Sequence, residues 1–355
     1  MSKLSKFKAA AVQAAPVFLD TPATLDKVGG YVREASAAGA SIVVFPEVYV
    51  SGYPYWNWLK NPLDGSAWFA RLYHSAIEVP GQEVEELCRL ASDNNIHIAI
   101  GVNERGARSL GTIYNTNLLI SPDKGLVNRQ RKLVPTFAEK LSWTAGDAQG
   151  LRVTETRLGR VGMLACGENT NTLARFALLA EGELIHLANF VAFPFVDNYD
   201  MPTAIRTRIG AHSFEGKVFS IVSCSAMSQE IIDAIADSEE DKKRMQGSPN
   251  AYSAIFNPHG EVISEPLIDV EGITYADIDL EQCIAPKQYH DILGHYNRFD
   301  ILSLQIDRTE RSPVRYVGEA NELSGMVKAE QEAGPLSTST RQEPHSDVGT
   351  RGEKS

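Results

Sequence analysis

The chain has 355 residues, 43% hydrophobic and 22% charged, enough for a substantial core in one large domain or two modest ones. Its 34 basic and 45 acidic residues give a formal net charge of -11, which argues against a broad nucleic-acid-binding face. Four widely spaced cysteines, Cys88, Cys166, Cys224 and Cys283, form no C-x-x-C pair; neither a zinc site nor a disulfide framework is expected, and free thiols fit the cytoplasm.

In chain order, the opening MSKLSKFKAAAVQAAPVF imitates a signal peptide only superficially, because Gln13 interrupts a core made mostly of alanine. Residues 7–14 read instead as a first strand, ended by Pro16. Residues 24–37 carry apolar side chains at helical spacing, from Leu25 and Val28 to Val32 and Ala35. SIVVFPE, residues 41–47, reads as a strand buried on both faces. A helix is expected over 83–92, and strands from His97, over 114–121, 151–155 and 160–166. The second half repeats the pattern, with helices over 173–180 and 203–215 and strands over 184–188 and 218–224. Residues 229–250 read as an acidic, irregular surface insertion. Strands over 253–256, 261–264 and 273–278 close the unit. Crossovers mixed with hairpins imply an α/β fold, with a mixed sheet or two stacked sheets covered by helices. No internal boundary is visible, no apolar run reaches membrane-spanning length, and residues 318–355 read as a flexible polar tail.

Three residues stand where chemistry is possible. Glu47 follows a buried strand, where α/β proteins tend to hold ligands, and burial would raise its pKa toward general-base work. A surface carboxylate would look the same. Lys132 lies among Arg129, Arg131 and Lys140, which alone suggests a solvated basic turn; Pro135 bars a simple helix there. Cys166 closes a strand and precedes a helix, so the helix dipole is expected to lower its thiol pKa. The Gly167 N–H could face a developing anion. A buried strand-end cysteine is the plain alternative. His186 and His212 read as a packed strand histidine and a helix histidine. The ending GTRGEKS lacks the spacing of a phosphate-binding loop.

Together, FPE at 45–47, RKLVPTFAE at 131–139 and ACGEN at 165–169 resemble the nitrilase branch of the carbon–nitrogen hydrolase superfamily. The opening FKAAAVQAAPVFLD, FPEVYVSGYP, LSWTAGD and DILGHYNRFDILSL at 291–304 extend that resemblance over residues 7–310. It implies a Glu-Lys-Cys set, Glu47, Lys132 and Cys166, with Glu139 as a second glutamate that holds the lysine and the base. It also implies an αββα sandwich that pairs across subunits into αββααββα and assembles into larger spirals, the GHY segment packing between subunits. Residues 1–317 would form this domain. Many nitrilases carry tryptophan after the cysteine; here Gly167 stands there, which changes the pocket beside the nucleophile.

The chemistry so implied is hydrolysis of a small organic nitrile to carboxylic acid and ammonia through a cysteine thioimidate and thioester, with no metal or organic cofactor. Gly167, Tyr53, Phe190, Phe193 and Pro194, with Trp56 and Trp58, are candidates for an apolar substrate pocket, against ordinary core packing. Four other readings stay open: an amidase or carbamoylase using the same set, a hydratase releasing amide, a silent scaffold, and a Cys-His hydrolase dependent on His186 or His212.

Overall fold

The polypeptide alternates short β-rich runs with amphipathic helices, and the computed structural model shows how each apolar face is used. It describes residues 4–195, 199–309 and 314. The first half contains β1 (Lys6–Gln13), α1 (Thr21–Ala37), β2 (Ala40–Val44), α2 (Trp56–Leu59), α3 (Ser66–Ser75), α4 (Gln82–Asp93), β3 (His97–Arg105), β4 (Ile113–Ser121) and β5 (Gly125–Arg131). The second half contains β6 (Thr154–Thr156), β7 (Gly159–Ala165), α5 (Thr172–Ala180), β8 (Ile185–Phe190), α6 (Met201–Gly216), β9 (Phe219–Cys224), α7 (Gln229–Ile235), α8 (Glu239–Met245), β10 (Tyr252–Phe256), β11 (Leu267–Ile268) and β12 (Gly272–Asp279).

The strands form two six-stranded mixed sheets, ordered β12-β1-β2-β3-β4-β5 and β11-β10-β9-β8-β7-β6. Period-two burial explains the layering. Along β1, Ala9 and Ala11 face the layer between the sheets, where they meet Val44, Met163, Leu187 and Ile221. Ala10 and Val12 face the other way, onto Leu25, Val28 and Val32 of α1 and Leu87 of α4. On the second sheet, Phe190 and Val222 pack under Ile205 and Ile209 of α6. The result is a helix–sheet–sheet–helix sandwich, the αββα architecture implied by the resemblance. Small alanines on β1 let the two sheets approach. Among the described residues no helix is long and apolar enough to cross a membrane.

Several local expectations are corrected. Residues 229–250 are not irregular: α7 and α8 occupy much of the segment and bury Ile231, Ile232, Ile235 and Met245. In α8 the charges mask that face, with acidic residues in the first turn and basic residues in the last, as the helix dipole favours. Residues 261–264 make a single bridge, Val262 to Phe256, instead of a strand. The strand expected over 151–155 is the short β6, and α3 and β5 had not been foreseen. In β5 the run NRQR alternates burial, so its charges concealed a strand. The expected tail, 318–355, lies outside the described residues.

Candidate active site

Glu47, Lys132 and Cys166 leave the ends of β2, β5 and β7. At the first of these ends, the chain turns sharply after Phe45. The Phe45 N–H is held by the Ala99 carbonyl at 2.8 Å, and the Gly101 N–H by the Pro46 carbonyl at 3.1 Å. Gly101 is needed for this approach, because a Cβ there would fall on the Val48 nitrogen and the Pro46 carbonyl. The Glu47 N–H donates to the Phe190 carbonyl at 3.3 Å, tying this turn to the second sheet.

Lys132 is 1% exposed, so the solvated basic turn is excluded. Its ammonium donates to Glu47 Oε1 and Glu139 Oε2, each at 2.7 Å. Glu139 sits in a 3-10 turn, Phe137–Leu141, where its Oε2 also accepts the Thr136 N–H at 2.6 Å. Its Oε1 accepts the Tyr53 hydroxyl at 2.9 Å, and Tyr53 in turn accepts the Trp58 indole N–H at 3.0 Å. Asn115 donates to Glu47 Oε1 at 2.7 Å. Trp143 lies 5.7 Å from the ammonium, ring centroid to nitrogen, and its indole N–H is fixed by Asn103 at 2.8 Å. Two carboxylates thus share one buried cation. Glu47 Oε2 is buried and has no hydrogen-bond partner among the described residues.

The electrostatics follow from burial. Burial raises the Glu47 pKa above 4.5, and the Glu139 charge adds to the rise; Lys132 and Asn115 oppose it only in part. For Lys132, burial alone would favour the neutral amine, but the Glu139 and Glu47 carboxylates hold its pKa well above the ordinary value. Cys166 lies in the field of the same three groups. Burial first, then the Glu47 charge, push its thiol pKa well above 9.0. This corrects the expectation of a helix-lowered thiol. The sulfur sits on a 3-10 turn, Cys166–Thr170, and α5 starts only at Thr172. Asn171 caps that helix through the N–H groups of Leu173 and Ala174, so its end is already satisfied. Cys166 has φ +43°, a left-handed conformation costly for any residue but glycine.

The expected pocket residues separate into different environments. Tyr53 is engaged by Glu139. Phe190 is fully buried under α6, and it is its carbonyl that reaches the Glu47 turn. Phe193 is partly buried and, like Cys166, packs against the α6-facing core. Its ring meets Trp58 at 4.7 Å and Phe195 at 5.5 Å. Pro194 is partly buried, with its carbonyl against Gly247. Trp56 stacks on Trp68 at 5.3 Å, within the same apolar cluster as Tyr53. Gly167 lines a groove of about 270 Å³ with Leu133, Pro135, Thr136, Phe137 and Lys140. A Cβ at Gly167 would lie 3.0 Å from Thr136 Oγ1, so this side of the groove is closed by the threonine.

Sequence reasoning considered the Glu168 N–H beside that of Gly167 as a donor to a developing anion, but passed over Asn115, Trp143 and the Glu168 carboxylate. Glu168 accepts the Leu133 and Ala165 N–H groups at 2.6 and 2.9 Å and so joins the lysine loop to the cysteine turn. Burial raises its pKa to about 7 against these hydrogen bonds. The polar triplet Asn115-Thr116-Asn117 inside an otherwise apolar strand was the available signal for Asn115.

Comparison with known proteins agrees with this fold. The carbon-nitrogen hydrolase family model matches residues 8–288. A nitrilase of Bacillus sp. (strain OxB-1) is 37% identical over 322 residues, covering 90% of this chain and 94% of its own. An aliphatic nitrilase of Rhodococcus rhodochrous is 35% identical over 314 residues, covering 87% of this chain and 84% of its own. The crystal structure of a carbon-nitrogen hydrolase from Helicobacter pylori G27 superposes with a TM-score of 0.66 at 18% identity, over 83% of this chain and 96% of the other. With a family model across most of its length and the same sandwich in a solved relative, the chain belongs to the carbon–nitrogen hydrolase family.

Proposed function

We propose that this protein is a nitrilase, converting a small organic nitrile to its carboxylic acid and ammonia, with Cys166 as nucleophile, Glu47 as general base and acid, and Lys132 as electrostatic stabiliser positioned by Glu139. The buried Glu47–Lys132–Glu139 set, with one carboxylate oxygen left free in the field of Cys166, supports the chemistry, and the 35–37% identity to nitrilases over most of the chain favours a nitrile over an amide.

A nitrile carbon is a weak electrophile at the end of a linear group. As Cys166 Sγ attacks it, Glu47 Oε2 takes the thiol proton, one π pair of the nitrile moves to nitrogen, and Glu47 returns the proton there. This gives a thioimidate. The Lys132 ammonium and the Gly167 N–H offset the charge that appears on nitrogen. Glu47 then activates a first water, which adds to the thioimidate carbon. The C–N bond breaks, ammonia leaves, and a thioester remains. A second water cleaves the C–S bond and restores the thiol. If the C–S bond breaks before the C–N bond, the product is an amide, so the acid-to-amide ratio depends on which leaving group is protonated first.

Phe193 and Pro194, with Trp58, provide the apolar wall beside the nucleophile, and Gly167 lines the adjoining groove, which Thr136 closes on that side. Tyr53 and Phe190 support the wall from behind, through Glu139 and the Glu47 turn. We also propose assembly into dimers and larger spirals through the segment around GHYNRFD, where Tyr296, Phe299, Ile301 and Leu302 are exposed. The free cysteines fit a cytoplasmic enzyme. The test of the activity is product analysis on aliphatic, aryl and arylacetic nitriles, with the intact protein and with Cys166→Ala. Acid and ammonia that vanish in the variant support the nitrilase. Amide alone would make it a hydratase, and ammonia from amides but not nitriles would make it an amidase.

A further inference from the structure

Behind the cysteine turn lies a second cluster of buried titratable groups that the mechanism above does not use. Glu183, His186 and His212 come from the loop before β8, from β8 itself and from α6, and all three are 2% exposed or less. His186 Nδ1 is 2.8 Å from Glu183 Oε1, and His212 Nε2 is 2.8 Å from Glu183 Oε2. His186 Nε2 is 2.8 Å from Asn169 Oδ1. The Asn169 amide nitrogen donates to the Leu164 and Cys166 carbonyls at 3.2 and 3.1 Å. Gly162 makes room for the cluster, since a Cβ there would collide with Glu183 Oε1.

The orientation of Asn169 is fixed by its surroundings. Flipping its amide would aim its oxygen at two carbonyl oxygens, so the NH₂ faces the carbonyls and the oxygen faces His186. His186 then has an acceptor at each ring nitrogen, the Asn169 oxygen at one and the Glu183 carboxylate at the other. A neutral imidazole carries one N–H and could satisfy only one of them. We infer that Glu183, His186 and Asn169 form a buried positioning relay for the nucleophile, in which His186 is held as an imidazolium and Asn169 clamps the left-handed turn at Cys166.

The charges balance inside the cluster. Glu183 ionised and His186 protonated make a neutral pair, and neutral His212 donates its Nε2–H to the remaining carboxylate oxygen. His212 Nδ1 has no hydrogen-bond partner among the described residues, as a buried lone pair with no donor requires. Burial, then the neighbouring His186 charge, lower the His212 pKa to about 4. The carboxylate of Glu183 is held at about 2 by both histidines although burial opposes it. Arg175 is the other charged group that acts on His212, and its guanidinium is engaged by Glu215 at 3.1 Å. Each nitrogen-to-oxygen distance in the cluster is that of a hydrogen bond, and each carboxylate oxygen is already taken, so the three groups need no ion between them.

The relay serves the catalytic role proposed for Cys166, but two of its tests do not depend on turnover. In the full chain labelled with ¹⁵N-histidine, the NMR spectrum at pH 7.5 is expected to show both ring nitrogens of His186 protonated, and Glu183→Gln to remove one of the two protons. A neutral His186 tautomer in the unmodified protein would overturn the inference, as would stoichiometric zinc bound by the three side chains. His186→Gln can still donate to Asn169 but carries no charge. With the turn loosened, alkylation of Cys166 by iodoacetamide, read on the Cys166 peptide by mass spectrometry, is expected to slow at least about 10-fold. On any nitrile substrate kcat should fall in parallel while KM stays within about 3-fold, the pattern of lost positioning. A lowered melting temperature with unchanged Cys166 reactivity would make the cluster structural only and refute the relay. Should His186→Gln not fold, Asn169→Ser gives the same readout.

Discussion

Of the four carboxylate oxygens on Glu47 and Glu139, three are committed. Lys132 and Asn115 take Glu47 Oε1, Tyr53 takes Glu139 Oε1, and Lys132 with the Thr136 N–H takes Glu139 Oε2. Only Glu47 Oε2 can accept a proton without breaking a hydrogen bond. Glu47→Gln keeps the volume and removes that base, so kcat is expected to fall by roughly 10³-fold, within the range general-base catalysis commands. Because the Glu47 pKa is raised above 4.5, the acid limb of kcat/KM should lie above that value and vanish in the variant; a limb at or below 4.5 would remove Glu47 from the role. Lys132 is judged by a different comparison. Lys132→Met strands two buried carboxylates and is expected to cost about 3–5 kcal/mol in urea unfolding. Adding Glu139→Gln should recover much of the stability and none of the activity. Recovered activity would show that Lys132 is needed only as a counter-ion.

At the scale of elements, the site depends on three strand ends arriving at one place, and Gly101 of β3 holds the first of them. Gly101→Ala would push the Pro46–Val48 turn outward. A cost of about 1–3 kcal/mol from overpacking is expected, together with a loss in kcat of the order of 10² from displaced Glu47; unchanged kcat in the folded variant would show that the turn does not place the base. Most strands and the long helices were legible in the sequence because their apolar periods are clean, as in SIVVFPE and the Leu25–Val28–Val32 stripe. Glu47, Lys132 and Cys166 could be singled out from their motifs. The lysine's burial could not, since three neighbouring cations made it look solvated and its counter-charges come from residues 85 and 7 positions away. The thiol's environment was misread because a strand followed by a helix suggests a helix end at the sulfur. The five residues of 3-10 turn between them carry no distinct pattern. The same reason hid the relay: Glu183, His186 and His212 are ordinary residues of a loop, a strand and a helix until the sandwich folds them together.

For the whole molecule, assembly and acid stability are separable. Tyr296, Phe299, Ile301 and Leu302 are 49–71% exposed, an apolar set that a partner subunit would cover. Replacing Phe299 and Leu302 by glutamate should shift the particle to smaller species in sedimentation without unfolding it, and an unchanged size would refute the proposed interface. Acid stability rests on the buried cluster instead. His212 has an ordinary pKa of 6.5 and a folded value of about 4, so below 6.5 the unfolded chain takes up a proton that the folded chain refuses. Glu183 continues the effect, with an ordinary value of 4.5 and a folded value of about 2. Both groups therefore add stability that is complete above pH 6.5 and is lost as pH falls, first through about 4 and then through about 2. The His212 shift arises from burial and the His186 charge, and the Glu183 shift from both histidines; the titrations are coupled, so together they amount to roughly 3 kcal/mol and not to twice that. Urea unfolding of His212→Gln should lose most of the slope between pH 6.5 and 4 while the fall below pH 4 persists. A variant with the unmodified slope would place the acid sensitivity elsewhere, but not at Glu47. Its raised pKa works in the opposite direction, favouring the folded state at low pH and withdrawing that support as pH rises. The sign of the slope thus identifies which buried carboxylate governs the stability of the fold.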